Sequence, residues 1–394
     1  MSFNSTPSSE RVHIGFFGLR NAGKSSVVNA VTAQELSLVS DVKGTTTDPV
    51  RKAMELLPIG PVVIIDTPGT DDEGALGEQR VKRAMKTLDE TDIAVLVIDA
   101  EKGETQADEE LKKLITERKI PLITVYNKAD LLPAVPTARE NTLYVSAASG
   151  TNIFELKEML GRIAADGKKE KRLIGDLLQK DDIVVLVTPI DESAPKGRMI
   201  LPQQQTIRDV LDSDAVCLVT KETQLEALIA SLPKKPRLVV TDSQAFGFVN
   251  KVVPKDIPLT SFSMLFARYK GDLFALADGA DTLDKLRDGD RVLISEGCTH
   301  HRQCNDIGTV KLPNWVSKYT GKDIVFDFTS GRDFPEDVSE YSLVIHCGGC
   351  MLNDAEISSR ARRAKAQGVP MTNYGTAIAK MHGILERAIK PLKP

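Results

Sequence analysis

The chain has 394 residues, enough for two or three domains of roughly 150 residues each. Its formal net charge is −4 with lysine and arginine spread along the chain, so no basic face marks a nucleic-acid partner. The amino terminus is polar and no run of about 18 apolar residues could span a bilayer, so we expect a soluble, cytoplasmic protein that binds neither nucleic acid nor membrane.

The first predicted domain, residues 1–167, alternates apolar strand-like runs with helix-like stretches. The strand-like runs read HIGFFG, VVIIDTPG, IAVLVIDA and PLITVYNK. Such alternation is typical of βα units around a mostly parallel sheet. The charged stretch Asp166–Arg172 interrupts this pattern, and we place the first domain boundary there.

A phosphate-loop pattern, GLRNAGKS, occupies residues 18–25 between a strand-like and a helix-like segment. In such a loop, backbone N–H groups turn toward phosphate oxygens. Lys24 would place its charge at the β and γ phosphates, and Ser25 would offer a hydroxyl to Mg2+. The predicted nucleotide contacts in the loop are Asn21, Ala22, Gly23, Lys24, Ser25 and Ser26.

Three companion motifs follow in the order that a GTPase requires. They are Asp66-Thr67-Pro68-Gly69, Asn127-Lys128-Ala129-Asp130 and Ser146-Ala147. Asp66 can reach Mg2+ through water, and the Gly69 N–H is placed for the γ-phosphate. The Asp130 carboxylate can accept two hydrogen bonds from guanine, and adenine would leave it unpaired. The motifs together predict binding of GTP and GDP.

A predicted switch loop, DVKGTTTD at residues 41–48, lies between the phosphate-loop helix and the Asp66 strand. We assign the Mg2+ hydroxyl to Thr46, with a plain turn as the alternative role of these threonines. Thr70 stands where many regulatory GTPases carry the glutamine that orients the attacking water. We therefore expect slow intrinsic hydrolysis.

Two smaller α/β domains are predicted to follow the mostly parallel P-loop GTPase domain. Residues 168–262 contain the strand-like runs DIVVLVTPI, AVCLVT, RLVVTD and IPLTSF, with helices near Gln203–Leu211 and Gln224–Leu232. Residues 263–394 open with one predicted helix, Ser263–Leu286, and continue through RVLISEGC, DIVFDF and SLVIHC. The helical ISSRARRAKAQG and a final helix after Tyr374 complete this domain.

Four of the five cysteines lie beyond residue 290, and three of these four lie in two segments that each follow a strand-like run. The segments are Cys298-Thr299-His300 and His346-Cys347-Gly348-Gly349-Cys350. A CxxC turn with glycines lets two thiolates approach one metal centre, and a thiolate from a neighbouring strand end can join them. The residues leave open an iron-sulfur cluster, a structural Cys3His zinc site, and ordinary buried or redox thiols.

The GTPase domain resembles the translation-factor-related GTPases of the Era and TrmE type, whose phosphate loop often carries an asparagine where Asn21 stands. In relatives with that asparagine, a potassium ion can neutralise the charge that develops between the phosphates. The resemblance therefore implies a K+ site at Asn21. The alternative for Asn21 is a loop residue that makes only local turn bonds.

The whole chain resembles the FeFe-hydrogenase maturation GTPases of the HydF family. The resemblance rests on CxH, a long spacer and HCxxC behind such a GTPase domain, and on the central APKGRMILPQQQTIRD at 194–209. It implies a four-iron four-sulfur cluster held by Cys298, Cys347 and Cys350, with an exchangeable or non-cysteine fourth ligand. His300 and His346 match the family's histidines, as the fourth ligand or as its supporting hydrogen-bond partners.

The resemblance further implies an assembly carrier that receives a transient two-iron precursor from two radical S-adenosylmethionine maturases. The carrier would deliver this precursor to apo FeFe-hydrogenase, with GTP state regulating its partners and a homodimer formed through the middle domain. His301 and Cys304 fall outside the matching pattern and are treated as neighbours of the site, with Cys304 a minor candidate ligand. Cys217 in AVCLV is predicted to be a core residue. The alternatives are a ribosome- or RNA-assembly GTPase with a zinc module and an iron-sulfur redox enzyme.

Overall fold

The computed structural model describes residues 6–33, 49–67, 84–137, 139–167, 171–190, 199–298 and 306–393. The chain divides into two compact units, Met1–Glu170 and Lys171–Pro394. Among the described residues, no helix combines the length and apolar character needed to cross a bilayer.

The first unit is built around one six-stranded sheet. Its elements are β1 (Val12–Phe17), α1 (Lys24–Thr32), β2 (Val50–Leu56), β3 (Gly60–Asp66), β4 (Ile93–Asp99), α2 (Gln106–Glu117), β5 (Leu122–Asn127), β6 (Thr142–Tyr144) and α3 (Ile153–Gly167). The strand order is β2-β3-β1-β4-β5-β6, and every neighbouring pair is parallel except β2 with β3. All seven residues of β4 are buried, as expected for a central parallel strand covered on both faces.

Local sequence explains where α2 begins. The Thr105 hydroxyl accepts a hydrogen bond from the Asp108 N–H, and the Asp108 carboxylate accepts one from the Thr105 N–H. One turn later, Leu111 and Ile115 are buried against residues of β4. The capping box thus fixes the start of the helix, and its apolar face holds it on the sheet.

The second unit contains two four-stranded parallel sheets that share one apolar core. The elements of the first sheet are β7 (Ile183–Val187), α4 (Leu201–Leu211), β8 (Val216–Thr220), α5 (Leu225–Ser231), β9 (Leu238–Thr241), α6 (Phe246–Val252), β10 (Leu259–Ser261) and α7 (Phe262–Lys270). After α8 (Leu273–Ala280), those of the second are β11 (Arg291–Ser295), α9 (Leu312–Thr320), β12 (Val325–Thr329), β13 (Leu343–His346), α10 (Asp354–Ala366), β14 (Met371–Asn373), α11 (Tyr374–Met381) and α12 (Leu385–Ile389).

These two sheets repeat one topology. Their orders are β10-β9-β7-β8 and β12-β11-β13-β14, so in each the first strand lies between the second and the third. The last residues of three adjacent strands are in register in both sheets: Val187, Thr241 and Ser261 in one, and Ser295, His346 and Asn373 in the other. The sequence shows no convincing internal repeat, so the relationship emerges only from strand order and register. The predicted domain boundary at 262/263 stays a prediction.

The predicted single helix Ser263–Leu286 is wrong. The structure divides this segment into α7, α8 and a 3-10 turn, Asp281–Lys285. Asp272 starts α8 because its carboxylate accepts hydrogen bonds from the N–H groups of Phe274 and Ala275, both at 3.0 Å. Gly271 before it ends α7. Helices α6 and α9 and the short strand β14 were not predicted.

Candidate functional site

The phosphate loop connects β1 to α1, and its backbone requires glycine at two points. Gly18 has φ +137°, and a Cβ atom there would lie 2.2 Å from the Val97 carbonyl oxygen. Gly23 has φ +85°, and a Cβ atom there would lie 2.3 Å from Asn127 Nδ2. Asn21 also lies in the left-handed region, with φ 63°, and is exposed. The loop thus packs tightly against β4 and β5 and presents Asn21 to solvent.

Lys24 lies inside this loop. The residue is buried, and its Nζ donates hydrogen bonds to the carbonyl oxygens of Gly18 and Leu19 at 2.9 and 2.7 Å. Ser25 and Ser26 follow on the first turn of α1 and are exposed. The ammonium group is therefore held at the loop where the sequence predicts phosphate binding, next to the exposed residues Ser25 and Ser26.

The residues predicted to bind Mg2+ meet at the carboxyl end of β3. Ser25 Oγ donates a hydrogen bond to Asp66 Oδ2 at 2.8 Å. The other carboxylate oxygen, Asp66 Oδ1, is buried and has no hydrogen-bond partner among the described residues. Burial raises the pKa of Asp66, while Ser25 and Lys24 act to lower it. A hydroxyl and a carboxylate with an unsatisfied oxygen suit a hard cation such as Mg2+, so these residues fit the ion.

The predicted guanine site is connected to the phosphate loop through Asn127. Its Nδ2 donates to the Ala22 carbonyl oxygen at 3.0 Å, and its Oδ1 accepts from the Ala147 N–H at 3.1 Å. Asp130 is exposed on the 3-10 turn Ala129–Leu131, so its carboxylate is accessible. Two neighbouring residues of these motifs are also held in place. Lys128 forms an ion pair with Asp99, with Nζ 2.5 Å from Oδ2, and Ser146 is fully buried. Through Asn127, the structure thus connects the phosphate loop, the Asn127–Asp130 motif and the Ser146-Ala147 segment.

The predicted cysteine site lies at the carboxyl ends of the adjacent strands β11 and β13. Cys298 is three residues beyond β11, and Cys347 follows β13 directly. Cys347 Sγ accepts hydrogen bonds from the N–H groups of Gly297 at 3.0 Å and Gly349 at 3.4 Å. Backbone donors aimed at a sulfur stabilise a thiolate and are one way in which a protein tunes a bound iron-sulfur cluster.

The three thiols influence one another's ionisation. Burial, and then the nearby thiols of Cys347 and Cys350, raise the pKa of Cys298 to about 12. Burial likewise raises the pKa of Cys347 to about 11 and that of Cys350, on which Lys270 acts in the opposite direction. The thiols are therefore protonated at neutral pH when no metal is bound. Binding of a metal by these cysteines must release their protons.

The described residues contain no group of three His, Cys, Asp or Glu side chains that converges on a single metal ion. A four-iron cluster does not require such convergence, because each thiolate bonds to a different iron. Three thiols near the ends of two adjacent strands, with N–H donors on Cys347, fit that group in their chemistry. Thr46, Gly69, His300, His301 and Cys304 lie outside the described residues.

His346 lies behind the cysteine turn with both ring nitrogens engaged. Its Nδ1 is 2.7 Å from the Cys347 carbonyl oxygen, and because a carbonyl only accepts, Nδ1 carries the proton. Its Nε2 accepts from Arg360 Nη1 at 3.0 Å. Burial, and then the Arg360 charge, lower the pKa of His346 to about 3. This geometry favours a supporting role for His346 over direct ligation of iron.

Two charged residues at this site were not predicted. Arg360, which is buried, donates from Nη2 to Glu356 Oε1 and to the Gly331 carbonyl oxygen, both at 2.6 Å. Lys270 at the end of α7 is also buried. In sequence both resemble the exposed cations of an amphipathic helix. Cys217 is partly buried on β8 and packs against the shared core.

Family models match three segments of the chain. Residues 173–271 match the hydrogen maturase F dimerization domain, and residues 273–391 match the hydrogen maturase F tetramerization domain. Residues 13–128 match a model described as 50S ribosome-binding GTPase. The two hydrogen maturase F models together match more than half of the chain.

Curated relatives match the GTPase segment. The tRNA modification GTPase MnmE of Nitrosomonas europaea is 34% identical over 160 residues, covering 39% of this chain and 35% of the relative. MnmE of Synechococcus sp. is 38% identical over 177 residues, covering 43% and 37%. GTPase Der of Kosmotoga olearia is 32% identical over 170 residues, covering 39% and 38%. The chain thus spans about a third of the length of the curated relatives it matches.

Solved structures also align with part of the chain. A probable GTP-binding protein engB is 23% identical and covers 39% of this chain and 100% of its own, with a TM-score of 0.33. Era of Aquifex aeolicus bound to GDP and AlF4− is 19% identical, covering 53% and 93%, with a TM-score of 0.34. On the strength of the family models, the amino-terminal unit is a P-loop GTPase domain and the chain belongs to the hydrogen maturase F family.

Proposed function

We propose that the chain hydrolyses GTP and serves as an iron-sulfur scaffold that carries a two-iron precursor to apo FeFe-hydrogenase. The observation that supports the scaffold role is the location of Cys298, Cys347 and Cys350 just beyond the carboxyl ends of the adjacent strands β11 and β13, with N–H donors on Cys347. A four-iron cluster held by three thiolates supplies an iron with a coordination position open to an incoming ligand. The two radical S-adenosylmethionine maturases are the proposed source of the precursor.

The GTPase domain supplies the regulatory part of this proposal. Lys24 holds the phosphates, Ser25 and Asp66 hold Mg2+, and Asp130 selects guanine, with Thr46 and Gly69 as the proposed sensors of the γ-phosphate. Ordering two switch loops needs to supply only about 1.4 kcal/mol of differential binding to shift a partner equilibrium tenfold. GTP state would therefore regulate the binding or release of partners.

Anaerobic reconstitution with iron and sulfide tests the scaffold role. The dithionite-reduced protein is expected to give the electron paramagnetic resonance signal of a four-iron cluster. Cys298→Ala and Cys347→Ala are expected to abolish it, because each variant removes a thiolate ligand. Cys217→Ala, which removes a thiol on β8, is the matched control and should keep the full signal.

Other outcomes of this experiment favour other functions. Stoichiometric zinc without the cluster signal would overturn the scaffold role in favour of the zinc-bearing assembly GTPase. The match of residues 13–128 to a ribosome-binding GTPase model gives that alternative its support. The net charge of −4 opposes it, since RNA affinity depends on neutralising phosphates. Binding of ribosomal RNA at physiological salt would also count against the scaffold role.

Potassium is proposed as an activating ion of hydrolysis. Asn21 stands exposed at the bend of the phosphate loop, where its side chain can share in coordinating a monovalent cation. We expect faster GTP hydrolysis in potassium chloride than in sodium chloride, and we expect Asn21→Ala to remove the difference. Equal rates in the two salts, at matched ionic strength and Mg2+ concentration, would refute the K+ site.

A homo-oligomer assembled through the second unit is the proposed quaternary state. Strand β8 lies at a sheet edge, and Val216 and Val219 on it are 44% and 47% exposed. We expect light scattering to give at least a dimer mass, and Val219→Lys to lower it by placing a charge on that edge. Leu57→Lys, at an exposed leucine of the GTPase domain, is the control. A concentration-independent monomer mass would contradict the proposal.

A further inference from the structure

Lys270 is a buried cation beneath the cysteine turn. It is the last residue of α7 and is only 4% exposed. Its Nζ donates to the carbonyl oxygens of Gly349 at 3.1 Å, Cys350 at 3.4 Å and Leu352. One ammonium group therefore gathers three carbonyl groups from the segment that carries Cys347 and Cys350.

The desolvation cost of the Lys270 ammonium group suggests a role other than stabilising the fold. Removing an ammonium group from water is unfavourable by several kcal/mol unless its donors are satisfied, and a well-packed apolar residue often serves stability as well. Three carbonyl oxygens match the three N–H donors of Lys270. The Phe266 ring, with its centroid 5.6 Å from Nζ, adds a cation–π contact.

The cysteine turn has two chemically different sides. A peptide group is planar and trans, so its carbonyl and N–H groups point in opposite directions. The carbonyl groups of Gly349 and Cys350 face Lys270, and the N–H groups of the same two peptide groups, those of Cys350 and Met351, hydrogen-bond the Cys350 thiol. The contact of Lys270 with the carbonyl side thus helps to orient an amide donor on the thiolate side.

We propose that Lys270 is a positioning residue that orients the amide groups of the Cys347–Cys350 turn and favours the one-electron-reduced state of the cluster bound there. The inference rests on the proposed scaffold function. Reduction adds one electron from an external reductant such as dithionite, so the site gains one negative charge. A fixed positive charge and N–H donors stabilise that added charge more than they stabilise the oxidised state.

The test compares midpoint potentials of the reconstituted full-length protein. Lys270→Met removes the charge and keeps an unbranched side chain, while Lys270→Arg keeps the charge. We expect Lys270→Met to lower the ratio of reduced to oxidised cluster at a fixed potential about tenfold. For a one-electron couple, this change corresponds to a midpoint potential lower by about 59 mV. Lys270→Arg should recover most of the wild-type potential. Lys318→Met, at an exposed lysine of α9, is the control and should leave it unchanged.

Each outcome decides the proposal. A Lys270→Met midpoint equal to that of the wild type, measured on the fraction of protein that holds a cluster, would overturn it. Trp315, the chain's one tryptophan, monitors folding of this unit, and if Lys270→Met does not fold, Lys270→Gln against Lys270→Arg gives the same comparison. Equal potentials in that pair would again overturn it. A wild-type protein without a cluster signal would instead refute the scaffold function, before any variant is made.

Discussion

The Asp130→Asn variant is expected to lose affinity for GTP by about 10²–10⁴-fold and to gain affinity for xanthosine triphosphate. Hydrogen bonds to a charged group contribute about 1.5–3 kcal/mol each, and guanine loses two good acceptor contacts in the variant. Xanthine carries an oxygen where guanine carries its exocyclic amine. The amide N–H of the new Asn side chain can therefore donate to it. Titration with fluorescent GTP and XTP analogues measures both changes.

This change of base preference is feasible because the Asp130 carboxylate is exposed. Asn127 holds the phosphate loop and the Ser146-Ala147 segment together independently of Asp130, so the site should survive the substitution. Asp166→Asn, at an exposed aspartate near the end of α3, is the matched control and should leave both affinities unchanged. An Asp130→Asn protein that still prefers GTP would show that another residue selects the base.

The Arg360→Met variant is expected to lower the free energy of unfolding of the second unit by about 3–5 kcal/mol, since removing one partner of a buried ion pair leaves the other uncompensated. Glu356 would lose its 2.6 Å partner and keep the more distant Arg332, whose Nε lies 3.6 Å from Glu356 Oε2. His346 Nε2 would lose its donor as well. Urea unfolding followed by Trp315 fluorescence reports on this unit alone, because the chain has no other tryptophan.

The neighbouring Arg362→Met variant is the control for the Arg360 prediction. Arg362 is exposed on the same helix, α10, and surface substitutions of this kind usually change stability by less than about 0.5 kcal/mol. An Arg360→Met protein with the same urea midpoint and slope as the control would show that the buried network adds nothing to stability.

Sequence was informative wherever chemistry requires particular residues at particular spacings. The P-loop GTPase fold was predictable because phosphate binding requires Gly18, Gly23 and Lys24 in one short loop, and the family models confirm both this fold and membership in the hydrogen maturase F family. The break between α7 and α8 was missed although Gly271-Asp272 is a stop-and-start signal. Apolar residues continue on both sides of it and conceal the change.

Tertiary interactions were beyond the reach of the sequence patterns. Lys270 and Arg360 occur at helix positions that look solvent-exposed in a one-dimensional pattern, and only long-range contacts reveal their burial. The carbonyl and imidazole partners that bury them are separated in sequence by up to 82 residues. Strand β14 has three residues, too few for periodicity to identify.

If the proposed cluster and the proposed oligomer both form, the shared core of the two matching sheets would link cluster binding to self-association. Buried side chains from β7 and β9 pack in the same apolar cluster as those from β11 and β13, so neither sheet can repack independently of the other. Thermodynamic reciprocity then applies: if self-association tightens the hold on iron by some factor, iron must tighten self-association by the same factor. In that case protein concentration would influence the metal content, and the metal content would influence the degree of self-association.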